Sequence, residues 1–162
     1  MMLLAGILTE MGTARRARAQ ISPGPLSRAH EKLEGPLNCL KCHAGKAEAM
    51  EKACLACHAP IARLESAGRG LHATVKGEKC ATCHPEHAGR DFSLIHWDGG
   101  APEKFDHARA GFLLEGKHAA AACRDCHKPA LQKAALIADV PSAHRADSWL
   151  GLERECRSCH QD

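Results

Sequence analysis

Five times along this chain a cysteine is followed by two other residues, a second cysteine and a histidine, and the five copies use all ten cysteines. The copies are Cys39, Cys42 and His43; Cys54, Cys57 and His58; Cys80, Cys83 and His84; Cys123, Cys126 and His127; and Cys156, Cys159 and His160. This is the spacing of covalent c-type haem attachment. The two thiols of a motif form thioethers with the porphyrin vinyl groups, and the histidine becomes the proximal iron ligand. Two other chemistries compete for such pairs. Structural zinc takes four ligands, usually from two pairs, and five pairs leave one without a mate. A disulfide framework needs only an even number of cysteines, and explains neither the fixed spacing nor the histidine. The motifs therefore predict five covalently bound haem c groups, with His43, His58, His84, His127 and His160 as proximal ligands.

Seven histidines remain outside the motifs: His30, His72, His87, His96, His107, His118 and His144. A low-spin haem takes a sixth ligand, and Met50 is the only methionine beyond the leader, so at most one haem takes His/Met ligation. Position selects five distal candidates. His30 and His72 each precede a motif by a short stretch, so that their turns can fold over a nearby haem. His87 follows His84 too closely to reach the opposite face of the same iron, and is expected to point to a neighbouring haem. His107 and His118 both lie ahead of Cys123 and are expected to serve two different haems. His96 and His144 are left over, His144 being the closer competitor because it precedes Cys156 by twelve positions. No spare histidine lies between His43 and Cys54, so haems one and two cannot both be capped locally. At least one of them needs a ligand from later in the chain, or Met50.

The elements that must hold these residues are short. Ala44 to Ala56 is rich in Ala, Glu and Lys, all strong helix formers, and carries the second motif on its last turns. Pro60 to Ala67 has proline in a first-turn position and stops at Gly68 and Gly70. His118 to His127 and Leu150 to His160 are further helix candidates, whereas Asp91 to Lys104, with Gly99, Gly100 and Pro102, reads as loop. No run alternates as a strand does. Intervals of 10, 21, 38 and 28 residues between motifs are too irregular for a solenoid. Three Phe, two Trp and no Tyr are poor material for a core. The expected fold is coil with short α-helices wrapped around a covalent haem cluster, with little or no β-sheet, since a short chain buries too little of its own surface.

Residues 20–162 are read as one pentahaem domain and residues 1–19 as a signal peptide. Met1 to Leu8 is apolar but far shorter than the ~20 residues of a membrane span, and Ala17, Arg18 and Ala19 resemble a small-x-small cleavage site. The positive charges follow the apolar run, the reverse of the usual order, which fits a start codon placed too far downstream; a trimmed membrane anchor is the alternative. Haem attachment of this type implies a periplasmic or otherwise extracytoplasmic location. The formal charge of +3 turns negative once ten haem propionates are counted, so the basic apo sequence is no argument for nucleic-acid binding.

His107 and His118 ahead of Cys123, Cys126 and His127, together with His87 just after Cys80, Cys83 and His84, resemble the class III multihaem cytochromes c, the trihaem and tetrahaem proteins of sulfate- and metal-reducing bacteria and their longer periplasmic relatives. The resemblance spans about residues 28–162, although five haems and these spacings depart from the tetrahaem pattern, so individual distal pairings do not carry over. It implies a compact, low-potential, bis-histidine electron carrier whose partners are redox proteins or a membrane redox complex. With both axial positions filled, no iron is open to substrate. That argues against the competing class, a multihaem reductase, and so does the lack of a lysine in any motif's final position. A third class is a cytochrome subunit of a membrane complex, or a haem filament assembled through exposed haem edges.

Overall fold

The computed structural model describes residues 23–161; the leader proposed for residues 1–19 lies outside them. Six short α-helices and nine 3-10 turns follow one another, with no β-strand among the described residues. The helices are α1 (Ala47–Cys57), α2 (Ala59–Ser66), α3 (Gly70–Thr74), α4 (Cys80–Cys83), α5 (Cys123–Cys126) and α6 (Ser142–Arg145). Only α1 and α2 exceed two turns, in two of the four segments expected to be helical. Isolated helices this short are marginal in water, so contacts beyond each helix must hold them.

The end of α2 shows how local sequence steers the path. Ala67 caps the helix, and Gly68 adopts the left-handed conformation at φ 65°. Gly68 N–H donates to the Glu65 carbonyl at 3.1 Å and Arg69 N–H reaches back to the Leu64 carbonyl at 2.8 Å. This is the Schellman arrangement, which glycine permits without a Cβ penalty. It turns the chain so that α3 packs on α2. In turn α3 packs against the 3-10 turn His107–Ala110, and α2 also meets α1 and the turn Ala134–Leu136.

Two expected helices differ from the structure. The His118–His127 segment is broken into the 3-10 turn His118–Ala120 and α5, because Ala121 and Ala122 are extended. In Leu150–His160 only Cys156–Ser158 is helical, as a 3-10 turn. There the backbone is spent on contacts with other segments. Lys133 N–H donates to the Gly151 carbonyl at 2.8 Å, and Arg69 donates to the Leu152 carbonyl at 3.2 Å and to the Glu153 carboxylate at 3.0 Å. Asp91–Lys104 is loop apart from the turns Asp98–Gly100 and Pro102–Lys104.

Side chains join segments distant in sequence. Glu86 accepts from both the backbone N–H and the hydroxyl of Ser27, each at 2.9 Å, and Arg90 pairs with Glu34 at 2.5 Å. Arg28 pairs with Asp91, Arg63 with Asp139 and Arg109 with Asp98. Most of these pairs are exposed and each stabilises the fold by little. Against them stands a very small apolar core: Ile137, at 1 % exposure, is the single buried large hydrophobic side chain among the described residues. One such side chain contributes only about 1.5–3 kcal/mol, far below the conformational entropy of ordering the chain. The polypeptide alone is therefore expected not to fold. A circular-dichroism melt of protein made without haem should show no cooperative transition.

Candidate functional site

All five motifs fold the same way. In each, the histidine N–H donates to the carbonyl of the first cysteine: His43 to Cys39 at 2.8 Å, and His58 to Cys54, His84 to Cys80, His127 to Cys123 and His160 to Cys156, each at 2.9 Å. The motif is thus one closed helical turn. Residues three and four apart lie on one face of such a turn, so both sulfurs and the imidazole are gathered on one side. None of the ten cysteines is in a disulfide.

The five histidines selected as distal candidates each stand ring to ring with a different motif histidine. Centroid separations are 5.8 Å for His30 and His58, 6.3 Å for His43 and His87, 6.2 Å for His72 and His84, 6.3 Å for His107 and His127, and 5.8 Å for His118 and His160. The two near-parallel pairs, His43–His87 and His72–His84, stand farther apart than rings stacked in van der Waals contact would. Two imidazoles bonded to one metal through their outer nitrogens, with metal–nitrogen bonds of about 2.0–2.1 Å, have centroids roughly 6.3 Å apart. His30 faces the second motif, not the first one near it in sequence, and the first motif instead meets His87. His96 stands against Phe92 at 5.4 Å, and His144 lies exposed in α6; neither meets a motif histidine in these ring contacts. Every motif histidine has an imidazole opposite, so Met50, in α1, is not needed as a ligand.

Several rings are oriented through Nδ1. That of His30 lies 2.5 Å from a Glu86 carboxylate oxygen, and those of His84, His87 and His107 donate to the carbonyls of Leu94 at 2.5 Å, Gly24 at 2.8 Å and Phe105 at 3.2 Å. A proton held on Nδ1 leaves the Nε2 lone pair for a metal, the usual outer-shell arrangement of ligating histidines. Burial would raise the Glu86 pKa, but the Ser27 and His30 hydrogen bonds outweigh it and keep the carboxyl below its ordinary range. Burial lowers the imidazole pKa of His58, His72 and His127, helped by the neighbouring histidines and, for His127, by Arg124. His58 is exposed as a whole residue, but its ring stands against His30 and lines a cavity of about 370 Å³ with Cys57, Pro60, Ile61, Val140 and Leu150. Neutral imidazole is the form that binds a metal.

The pairs stand in series. The Cys54 thiol is pushed up to about 11, first by burial and then by the nearby Cys80 thiol, with Cys42 also close, so motifs one, two and three adjoin. Glu86, which holds His30, and His87, which faces His43, are consecutive, and this places the first two pairs side by side. Cys126 is raised by burial and by Cys159, which sets motif four beside motif five. The packing of α3, with His72, on the turn carrying His107 joins the two groups.

Sequence reasoning missed the residues that aim the rings. Glu86 carried the signal of a carboxylate between two candidate ligands. Gly24 carried none, because its role comes from a contact 63 residues away. No protein-family model, curated protein or solved structure matches this chain. Among the described residues no three His, Cys, Asp or Glu side chains converge as a metal-binding group, and no helix is long and apolar enough to cross a membrane. Each imidazole pair thus offers two ligands beside two thiols, a donor set that fits a metal whose other ligands belong to a macrocycle. A Cβ on Gly24 would lie 2.5 Å from the His87 carbonyl oxygen. Gly24→Ala is accordingly expected to destabilise the holoprotein by about 1–3 kcal/mol, read as a lower denaturation midpoint.

Proposed function

We propose that this chain is an extracytoplasmic electron-transfer protein carrying five covalent haem c groups with bis-histidine ligation. The observation that carries the reading is the set of five imidazole pairs at 5.8–6.3 Å, each containing one motif histidine. The imidazole pairs that would hold the five groups are His43 with His87, His58 with His30, His84 with His72, His127 with His107 and His160 with His118. Haem supplies the one-electron ferric/ferrous couple. The chain's residues would do the rest: the cysteines would hold each group by thioethers, the paired imidazoles would ligate it, and Nδ1 partners hold the rings of His30, His84, His87 and His107 in place. Two histidine ligands, without a sulfur ligand that raises the potential, favour low potentials. Closed axial positions favour a carrier over a reductase, and the serial arrangement suits conduction along the chain. The resemblance to class III multihaem cytochromes c agrees with this reading.

A second reading, a subunit within a larger redox assembly, is favoured by the two ends of the series. His118 and His160 are both exposed at one end. At the other, His43 is exposed beside Leu37 at 93 % and Leu40 at 72 % exposure. Both readings predict the same centres.

Intact-mass analysis of protein matured in a c-type haem host should show five haem additions, and magnetic circular dichroism should show five low-spin centres. His118→Ala should convert one centre to high spin, whereas His96→Ala and His144→Ala should leave all five low-spin. A fully low-spin His118→Ala protein would overturn the axial assignment. Fewer than five haems in the wild type would overturn the proposal itself.

A further inference from the structure

Site four, the His107–His127 pair, is built differently from the other four. Its two imidazoles belong to a closed circuit of aromatic rings. His107 meets Phe105 at 5.3 Å, Phe105 meets Trp97 at 5.9 Å, Trp97 meets Trp149 at 5.0 Å, and Trp149 meets His127 at 5.1 Å. Three of the chain's five Phe and Trp residues are gathered at this one site. His107, His127 and the three rings are all half-buried. Outside the circuit, the Arg124 guanidinium lies over the Trp149 ring, 4.3 Å from its centroid. Arg124 donates to the carbonyls of His127 at 3.0 Å, Ala146 at 2.8 Å and Ser148 at 3.5 Å, so these contacts leave its charge uncompensated by a carboxylate. Asp125, the nearest acid on the same turn, is engaged with the Ala122 N–H at 2.9 Å.

No other site combines these features. Site five has one flanking ring, Phe112 at 6.0 Å from His118, and both of its imidazoles are exposed. Site three is half-buried, but no Phe or Trp ring contact is found at it among the described residues. At site one His43 is exposed. Site two lines an apolar cavity, but its His30 is held by the Glu86 carboxylate, whose negative charge and hydrogen bond favour the ferric state.

Resting on the haem reading above, we propose that site four is the highest-potential centre of the five, set by the Phe105–Trp97–Trp149 ring circuit and the Arg124 charge. A haem iron between two neutral imidazoles carries one more positive charge as ferric than as ferrous. Apolar surroundings disfavour the more charged state, and a nearby guanidinium disfavours it further. Both effects favour ferrous iron at site four. Trp149 and Arg124 are positioning residues, since they act through His127 and its surroundings without bonding the iron. Site four also lies fourth in the series, between the three-site group and the exposed site five. The first electron entering the protein is therefore expected to rest there, one step from an exposed end.

The test is an anaerobic potentiometric titration of the intact holoprotein with a low-potential chemical reductant and soluble mediators, followed by paramagnetic resonance. His107→Ala identifies site four, because the low-spin ferric signal lost in that variant belongs to that centre. The signal that disappears first on reduction of the wild type should be the one missing from His107→Ala. Trp149→Leu and Arg124→Gln should each lower its ferrous-to-ferric ratio at a given potential about tenfold, equivalent to about 59 mV for a one-electron couple. Arg124→Lys should restore most of the Arg124→Gln loss. If Trp149→Leu loses a haem, the exposed Arg124 pair of variants decides the matter alone. Five low-spin haems in the wild type whose first-reduced centre is not the one lost in His107→Ala, or does not respond to Arg124→Gln, would overturn this inference and leave the haem reading standing. A wild-type protein lacking haem would overturn both.

Discussion

The structure depends on pairs of imidazoles facing one another across a gap about as wide as one metal ion. Each pair joins a motif histidine to a histidine elsewhere in the chain: residues 30 and 58, 43 and 87, 72 and 84, 107 and 127, and 118 and 160. Four of these spans interlock in two couples, since the 43–87 loop begins inside the 30–58 loop and closes beyond it, and the 118–160 loop does the same with the 107–127 loop. Bridging such loops costs conformational entropy that grows slowly with loop length. Metal ligation can offset that cost, because its free energy becomes folding free energy when no site exists in the unfolded chain. In the proposed holoprotein the covalent motif turn and the distal imidazole act on opposite faces of one rigid group, so each centre both closes a loop and fills the space a core would occupy. That agrees with a polypeptide whose buried large hydrophobic side chain is Ile137 alone among the described residues.

The polar contacts around the pairs take their meaning from this constraint. Glu86 is worth little as a surface ion pair, but it binds Ser27 on one side and His30 on the other, and so fixes both the path of residues 23–30 and the tilt of a ligand ring. Gly24 performs the same service for His87 through a carbonyl, in a contact too close for any side chain on Gly24. His87 itself has a left-handed backbone at φ 64°, uncommon for a residue with a Cβ. The short Pro-Glu link from His84 leaves that conformation as the way to send two nearby histidines to different sites. Backbone strain of this kind persists where surrounding contacts over-determine it.

The five motifs are legible in the sequence as identical spacings, and each closes as a single turn, with the histidine N–H on the carbonyl of the first cysteine. Position in the sequence selects five histidines over His96 and His144, and those five are the ones whose rings stand opposite motif histidines. Which histidine faces which motif was only partly legible. His30 lies near Cys39 in sequence, yet the Ser27–Glu86 contact pulls its segment toward the third motif and leaves the ring facing His58. The helix expected over Leu150–His160 failed because its backbone groups are taken by Lys133 and Arg69, a long-range competition that local propensity cannot register. The ring circuit at site four was likewise invisible, since Phe105, Trp97 and Trp149 are scattered along 53 positions that only the fold brings together.

Unequal surroundings along a series of otherwise equal ligand pairs are where this chain departs from simple repetition. Five bis-histidine centres made by the same motif would share one intrinsic potential, so any ordering must come from exposure, hydrogen bonding and fixed charge. The ends are open to solvent, where salt screens added charges within a Debye length of about 8–10 Å. Between the ends the ligand rings of site four are half-buried, and a half-buried carboxylate at His30 and an exposed guanidinium seated over Trp149 would act with opposite sign on two sites separated by one other. A chain with few aromatic residues has placed most of them around a single centre. In a protein with almost no apolar core among the described residues, that placement would, on the haem reading, set one centre's surroundings apart from the rest.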